Sequence, residues 1–197
     1  MGLILASGSP RRRQLLEQLG LTFTVRSSDV DESVSPGLTP AQVVESLSAR
    51  KGEAVAQLSQ PGDLILSADT VVALEGAILG KPRSREEAAA MLSALSGRTH
   101  QVYTGVTLLQ DGRRLTGHEA TAVTFRPLSP EEIAAYVSTG EPMDKAGAYG
   151  IQGLGALLAE RLEGDYFNVM GLPLCRLGQM LSRFGVHPLE AAMAPQR

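Results

Sequence analysis

Hydrophobic positions along this chain follow two periods, and the switches between them lay out its elements. Residues 3–6, Leu-Ile-Leu-Ala, are a short unbroken apolar run of the kind a buried strand carries. From Pro10 the spacing becomes helical: Leu15, Leu16 and Leu19 form one stripe and Gly20 supplies a stop, predicting a helix over 10–19. A short strand is expected over 21–25, and the polar, acidic residues 28–37 read as a loop. Thr39-Pro40-Ala41-Gln42 has the capping-box pattern with proline at the first helical position. The helix it opens is expected to reach Leu58, with Val43, Val44, Leu47, Ala54, Val55 and Leu58 on its apolar face.

The long apolar run 64–74, the Glu75-Gly76 turn and residues 77–79 predict a β-hairpin. Ser84-Arg85-Glu86-Glu87 is a second capping box, opening a helix that ends near Ser96-Gly97. Strands are expected over 101–109 and 115–125, joined at Asp111-Gly112, and Ser129-Pro130-Glu131-Glu132 caps a further helix running to Thr139. Residues 144–155 hold four glycines, too many for a helix or an uninterrupted strand. A last helix starts at Pro173 with Leu174, Leu177, Leu181 and Phe184 inward, and 191–197 reads as a frayed, disordered tail. Helices and strands intermix, and short turns join several strands, so the expectation is an α/β fold on a mixed sheet. No repeat or change of composition marks a linker, which leaves a single domain over 1–190.

Composition narrows the function classes. The chain is 43% apolar and 20% charged, an ordinary globular balance. A net charge of −3, 4% aromatics and no tryptophan argue against a nucleic-acid binder. No run of about 18 apolar residues is present to cross a membrane. Arg11 to Arg13 follow the first apolar segment where a signal peptide would have its charges in front, so a cytoplasmic location is expected. Cys175 is the sole cysteine, which excludes a disulfide within the chain, and its place in an apolar helix pattern suggests a core thiol. There is no P-loop, dinucleotide fingerprint, HExxH or GxSxG motif, and the three histidines do not cluster.

Six segments carry candidate chemistry. The strand–turn–helix of Ala6-Ser7-Gly8-Ser9-Pro10-Arg11-Arg12-Arg13 puts a helix start, with Ser9 as N-cap, beside three arginines whose planar forks match phosphate oxygens. A solvated basic surface is the alternative. Lys51 falls near the centre of the apolar face of the second helix at roughly 100° per residue, so it either snorkels out or points into a polar cleft. Asp69 and Thr70 interrupt an apolar strand, where an aspartate is either a strand-end carboxylate bonded to backbone or a group that binds metal or activates water. Asp29, Asp31 and Glu32 are a solvated loop or oxygen ligands for Mg²⁺ or Mn²⁺. Lys81-Pro82 is a surface lysine or one aimed by its proline; the 144–155 glycines admit either a tight structural loop or a ligand, with Gln152 equipped to read a base edge.

Together, Ala6-Ser7-Gly8-Ser9-Pro10-Arg11-Arg12, Ala68-Asp69-Thr70-Val71, Gly80-Lys81-Pro82, Leu95-Ser96-Gly97, Asp144-Lys145-Ala146-Gly147-Ala148-Tyr149-Gly150-Ile151-Gln152-Gly153 and Gly171-Leu172-Pro173 resemble the Maf family of nucleoside triphosphate pyrophosphatases. The 144–153 stretch resembles the subgroup acting on dTTP and UTP, and the subgroup acting on 7-methyl-GTP differs there. The resemblance implies a Maf/ITPase-like α/β fold: an elongated central sheet flanked by helices, and two lobes around a cleft. It also implies a nucleoside triphosphate substrate, modified pyrimidines included, a divalent metal cation (Mg²⁺ or Mn²⁺), a cytoplasmic location and often a homodimer. By position, Asp69 matches the proton acceptor, and Arg11, Thr70 and Gln152 match positions tied to substrate choice. Ser7, Arg12, Glu32, Lys51 and Lys81 match other cleft positions: Lys51 and Lys81 on the catalytic side, Ser7 and Arg12 on substrate, and Glu32 beside Asp69 as a metal ligand. Ser67 replaces a common glycine and Arg13 extends the arginine pair. The rival readings are a non-catalytic nucleotide-binding regulator of septum formation and a deaminated-purine pyrophosphatase, whose early Ser-x-Asn-x-x-Lys motif is missing here.

Overall fold

The computed structural model describes residues 2–27 and 29–191, which form seven strands in one mixed sheet with seven α-helices around it. The first half runs β1 (Leu3–Leu5), α1 (Pro10–Gln18), β2 (Thr24–Val25), α2 (Pro40–Ala56), β3 (Leu64–Leu74), β4 (Ala77–Leu79) and α3 (Arg85–Leu95). The second runs β5 (Thr99–Gln110), β6 (Arg113–Phe125), α4 (Pro130–Ser138), β7 (Ala159–Glu163), α5 (Tyr166–Met170), α6 (Leu174–Ser182) and α7 (Pro188–Ala191). Strand order is β2-β1-β3-β5-β6-β7, with β4 folded back on β3. β1 is parallel to both its neighbours and every other pairing is antiparallel, the short turns requiring this only of β3–β4 and β5–β6.

β3 is the axis of the molecule. Its first half, Leu64, Leu66 and Ala68, joins a core cluster with Leu15, Leu16, Leu177 and Leu181 from α1 and α6. Val72 and Leu74 of its second half join another cluster, with Leu92, Leu95, Phe125, Tyr136 and Tyr149. On one edge of β3, β1 pairs with Leu64 to Leu66 and β4 with Val72 to Leu74. Between those pairings the edge is open, and Asp69 and Thr70 lie in the gap. The interruption of the apolar run therefore coincides with the interruption of the ladder.

The helix caps follow their sequence signals, with two exceptions. Thr39 and Ser129 form full capping boxes with Gln42 and Glu132. Ser84 accepts the Glu87 N–H, but the Glu87 carboxylate takes the Arg83 N–H, so this capping box is half made. Ser9 is the N-cap of α1 yet its side chain makes no capping bond, so the first-turn N–H groups of Arg11 and Arg12 are not capped by it.

Several expectations need correction. Only Thr24–Val25 of the strand expected over 21–25 pairs; Leu21 and Phe23 are apolar because they pack on the first core cluster. α2 stops at Ala56, and Leu58 beyond it is 64% exposed. Cys175 is exposed, because the buried stripe of α6 runs through Leu177 and Leu181 and turns Cys175 away. β7 and α5 were not anticipated: β7 is a charged edge strand without alternation, and α5 is a single short stretch opened by the Asp165 cap and closed by Gly171 at φ 109°. Ala191 ends α7, and the remainder of the tail expectation, 192–197, lies outside the described residues.

Candidate active site

A cavity of about 910 Å³ opens at the unpaired edge of β3. Its lining includes the nine residues that the resemblance matched, Ser7, Arg11, Arg12, Glu32, Lys51, Asp69, Thr70, Lys81 and Gln152, but not Arg13, which pairs with Glu17, nor Asp29 and Asp31 of the acidic loop. The nine come from six separate segments, and the sheet brings them together.

Alternate residues of β3 divide the work between its faces. Ser67, Asp69 and Val71 face α2. The Ser67 hydroxyl donates to the Ser48 carbonyl at 2.6 Å, and Ser48 meets Thr107 of β5 at 3.0 Å. Val71 packs with Val43, Val44 and Leu47. Between these contacts Asp69, 8% exposed, accepts from Lys51 Nζ at 2.5 Å. Lys51 Nζ also lies 2.7 Å from Glu32 Oε1. The odd lysine on an apolar helix face thus reaches a polar cleft, where two carboxylates pair with it. Its hydrogen bond holds the Glu32 carboxyl below the usual range against the opposing effect of burial.

Arg12 meets the other side of the gap. Its Nε donates to the Gly171 carbonyl at 2.7 Å, and Nη1 donates to the Ala68 carbonyl at 2.7 Å and to Ser7 Oγ at 3.1 Å. Ala68 is the next acceptor along the β3 edge after Leu66, whose carbonyl takes the Ala6 N–H, so Arg12 satisfies a carbonyl that β1 ends too early to reach. Nη2 donates to Thr70 Oγ1 at 3.0 Å. Four of the five guanidinium N–H donors are thereby committed within the protein. Burial lowers the Arg12 pKa and Asp69 pulls it back up; the guanidinium remains charged.

The polarity of the Thr70 hydroxyl follows from its neighbours. Thr104 donates to the Asn168 carbonyl at 2.9 Å, so Thr70 is the donor in its 2.8 Å bond to Thr104. With its proton spent and one lone pair taken by Arg12, Thr70 can offer a ligand only an acceptor site.

Arg11 reaches across the opening, 3.9 Å from Asp144, and Lys81 is exposed on the rim. Gln152, within the glycine-dense loop, is exposed and lines the same cavity. The glycines of this loop are required by close contacts within the protein. A β-carbon on Gly147 would meet Val72 at 2.9 Å, one on Gly150 would meet the Lys145 stem at 2.8 Å, and one on Gly155 would meet the Gly150 carbonyl at 2.1 Å.

Glu141, Lys145 and Tyr149, to which the sequence assigned no role of their own, also line the cavity. Lys145 Nζ donates to the Glu141 carbonyl at 2.6 Å and to Asp144 at 2.7 Å. Tyr149 is buried against His100 Nε2 at 2.7 Å. The signal for Lys145 and Tyr149 was their place inside the 144–153 motif; Glu141 stands outside it and gave none.

Among the described residues no group of three His, Cys, Asp or Glu side chains is placed to hold a metal ion. The two carboxylates at Lys51 are oxygen-only donors, which suits a hard divalent cation that completes its shell with water and phosphate oxygens. Asp69 and Glu32 therefore fit such an ion. Among the same residues no helix is long and apolar enough to cross a membrane.

Comparison with known proteins gives the family. The dTTP/UTP pyrophosphatase of Moorella thermoacetica is 58% identical over 186 residues, 93% of this chain and 95% of that protein. The protein of the same name from Symbiobacterium thermophilum is 55% identical over 183 residues, 93% of this chain and 94% of that one. The solved structure of a HAM1 protein from Coxiella burnetii shares the fold at 17% identity and a TM-score of 0.53, across 93% of this chain and 99% of that one. The model of the family described as Maf-like protein matches residues 2–184, and the chain belongs to the Maf family.

Proposed function

We propose that this chain hydrolyses dTTP and UTP, and modified pyrimidine triphosphates of the same shape, between the α- and β-phosphates. The products are the nucleoside monophosphate and pyrophosphate. Two relatives more than half identical over most of its length carry the name dTTP/UTP pyrophosphatase. The observation that carries the reading is one buried carboxylate, Asp69, in a cavity lined by five basic side chains: Arg11, Arg12, Lys51, Lys81 and Lys145.

In this reading the cations and the N-terminus of α1 bind the polyphosphate and offset the charge that develops as the bridging P–O bond breaks. Asp69, kept oriented by Lys51, holds the attacking water and takes its proton as oxygen bonds to the α-phosphorus. The electron pair of the broken bond leaves with pyrophosphate. Glu32 and Asp69 would hold a divalent cation, Mg²⁺ or Mn²⁺, which supplies Lewis-acid polarisation of phosphate oxygens when bound. Gln152 and the loop around it contact the pyrimidine edge. A single cysteine and a nucleotide substrate suit the reducing cytoplasm.

The test is a panel of dTTP, UTP, 7-methyl-GTP and inosine triphosphate with Mg²⁺ or Mn²⁺, followed by product identification. Pyrophosphate and the monophosphate from dTTP and UTP, with the other two much slower, are expected. Orthophosphate as the first product would move the cut to another bond. No product from any nucleotide would leave a binding protein, as the septum-regulator reading holds.

A further inference from the structure

The loop that carries Gln152 is tied down by two residues outside the glycine motif. Glu141 Oε1 accepts the Gly155 N–H at 3.0 Å, and its Oε2 accepts the Leu154 N–H at 3.1 Å. Tyr136 of α4 donates its hydroxyl to Glu141 Oε1 at 2.9 Å and accepts the Gly150 N–H at 3.2 Å. Gln152 therefore lies between Gly150 and Leu154, and one carboxylate–phenol pair grips the chain two residues to either side. The backbone packs against that pair without side chains between: a β-carbon would meet Glu141 Oε2 at 2.8 Å from Gly153 and Tyr136 Oη at 2.6 Å from Gly155. Gly153 also has φ 67°, a conformation that favours glycine.

The pair is anchored in the core where the loop is exposed. Tyr136 is buried in the second core cluster, between α4 and α3. Gln152, Gly153 and Leu154 are exposed, and the stretch forms only short 3₁₀ turns. Three donors need a carboxylate: an amide at Glu141 would turn an NH₂ group toward a donor and leave it unpaired.

We infer that Tyr136 and Glu141 are positioning residues for substrate discrimination, acting by fixing the backbone that presents Gln152. This rests on the reading of Gln152 as the group that meets the pyrimidine edge. The pair touches no phosphate-binding side chain except through the Glu141 carbonyl on Lys145, so its loss weakens selection of the base and leaves the chemical step in place.

The experiment compares Tyr136→Phe, Glu141→Gln and Gln152→Ala, alone and with each of the first two added to the third. Readouts are kcat and KM for UTP and the ratio of kcat/KM for UTP over CTP. Tyr136→Phe and Glu141→Gln are each expected to raise the UTP KM about tenfold and compress that ratio, with kcat within about twofold. Hydrogen exchange of a peptide spanning 150–155 should speed up in both, a change that loss of a direct substrate contact would not cause. In the Gln152→Ala background neither should compress the ratio further. If Gln152→Ala compresses the ratio while the other two leave it unchanged, the positioning role is overturned and the reading of Gln152 stands. If Gln152→Ala itself leaves it unchanged, both fall. Full additivity of Glu141→Gln with Gln152→Ala would assign Glu141 a substrate contact of its own and overturn the inference. Tyr136→Phe keeps the packing volume, so it carries the test if Glu141→Gln fails to fold.

Discussion

A β-carbon added to Gly105 would stand 2.3 Å from the carbonyl oxygen of Val44, so β5 and α2 meet backbone to backbone there. Gly105 is also the cross-strand partner of Asp69. Lys51 lies about two helical turns beyond Val44, so the depth at which α2 sits on the sheet decides whether Lys51 Nζ reaches the carboxylate. Gly105→Ala should push α2 outward, costing about 1–3 kcal/mol of stability as overpacking does. Activity should fall by more than the folded fraction does. Denaturant midpoints read against specific activity check this; a variant of normal stability and activity would show that the helix is free to shift.

Asp69→Asn keeps the shape and a hydrogen-bond acceptor for Lys51, and removes the base. We expect an unchanged thermal midpoint to within a few degrees and a kcat lower by about 10²–10⁴-fold. Near-normal turnover would return Asp69 to a structural role.

Arg12 and Arg11 should part company. Arg12→Lys cannot reach Gly171, Ala68, Ser7 and Thr70 from a single ammonium group, so about 1–3 kcal/mol of stability should go along with activity. Arg11 makes only a loose 3.9 Å pair with Asp144. Arg11→Lys should cost no more than about 0.5 kcal/mol while lowering kcat/KM for dTTP. Equal stability losses in the two variants would sink the distinction.

His100 makes stability depend on pH. It is 1% exposed, it bonds Tyr149 through Nε2, and its Nδ1 has no hydrogen-bond partner among the described residues. Burial lowers its pKa from 6.5 to about 4. The unfolded chain therefore binds a proton before the folded one does, and the stability present above pH 6.5 declines as pH falls toward 4. Between pH 7 and pH 5 the loss from this group is about 2 kcal/mol. Urea midpoints across that range in the wild type and in His100→Gln should show a flatter profile for the variant.

Chelation with EDTA should stop pyrophosphate release, and added Mg²⁺ or Mn²⁺ should restore it, with no change in the circular dichroism of the nucleotide-free protein. Full turnover in EDTA would remove the metal from the proposal.

How far the sequence could be read depended on the range of the interaction. Pro10, Thr39, Ser129 and Gly20 mark helix ends because a cap acts on its own turn. The hairpin at Glu75-Gly76 and the strands either side of Asp111-Gly112 were equally local. Ser84 misled in part, since Glu87 found a nearer donor in Arg83. β7 left no pattern, because it is an edge strand defined by its pairing with β6.

The site divides the same way. The resemblance marked Asp69, Lys51, the arginines and Gln152 as one set; of these, Asp69 and Lys51 also signal themselves in one dimension as polar groups in apolar patterns. Which of them pair was settled only in three dimensions. The open edge of β3 comes from where β1 stops and β4 starts, and Arg12 turns inward to fill it. Thr70 spends its proton on Thr104, and Tyr136 and Glu141 hold a loop to which no sequence pattern connects them. Hydrogen bonds between distant segments depend on distance and angle, and a linear order of residues carries neither.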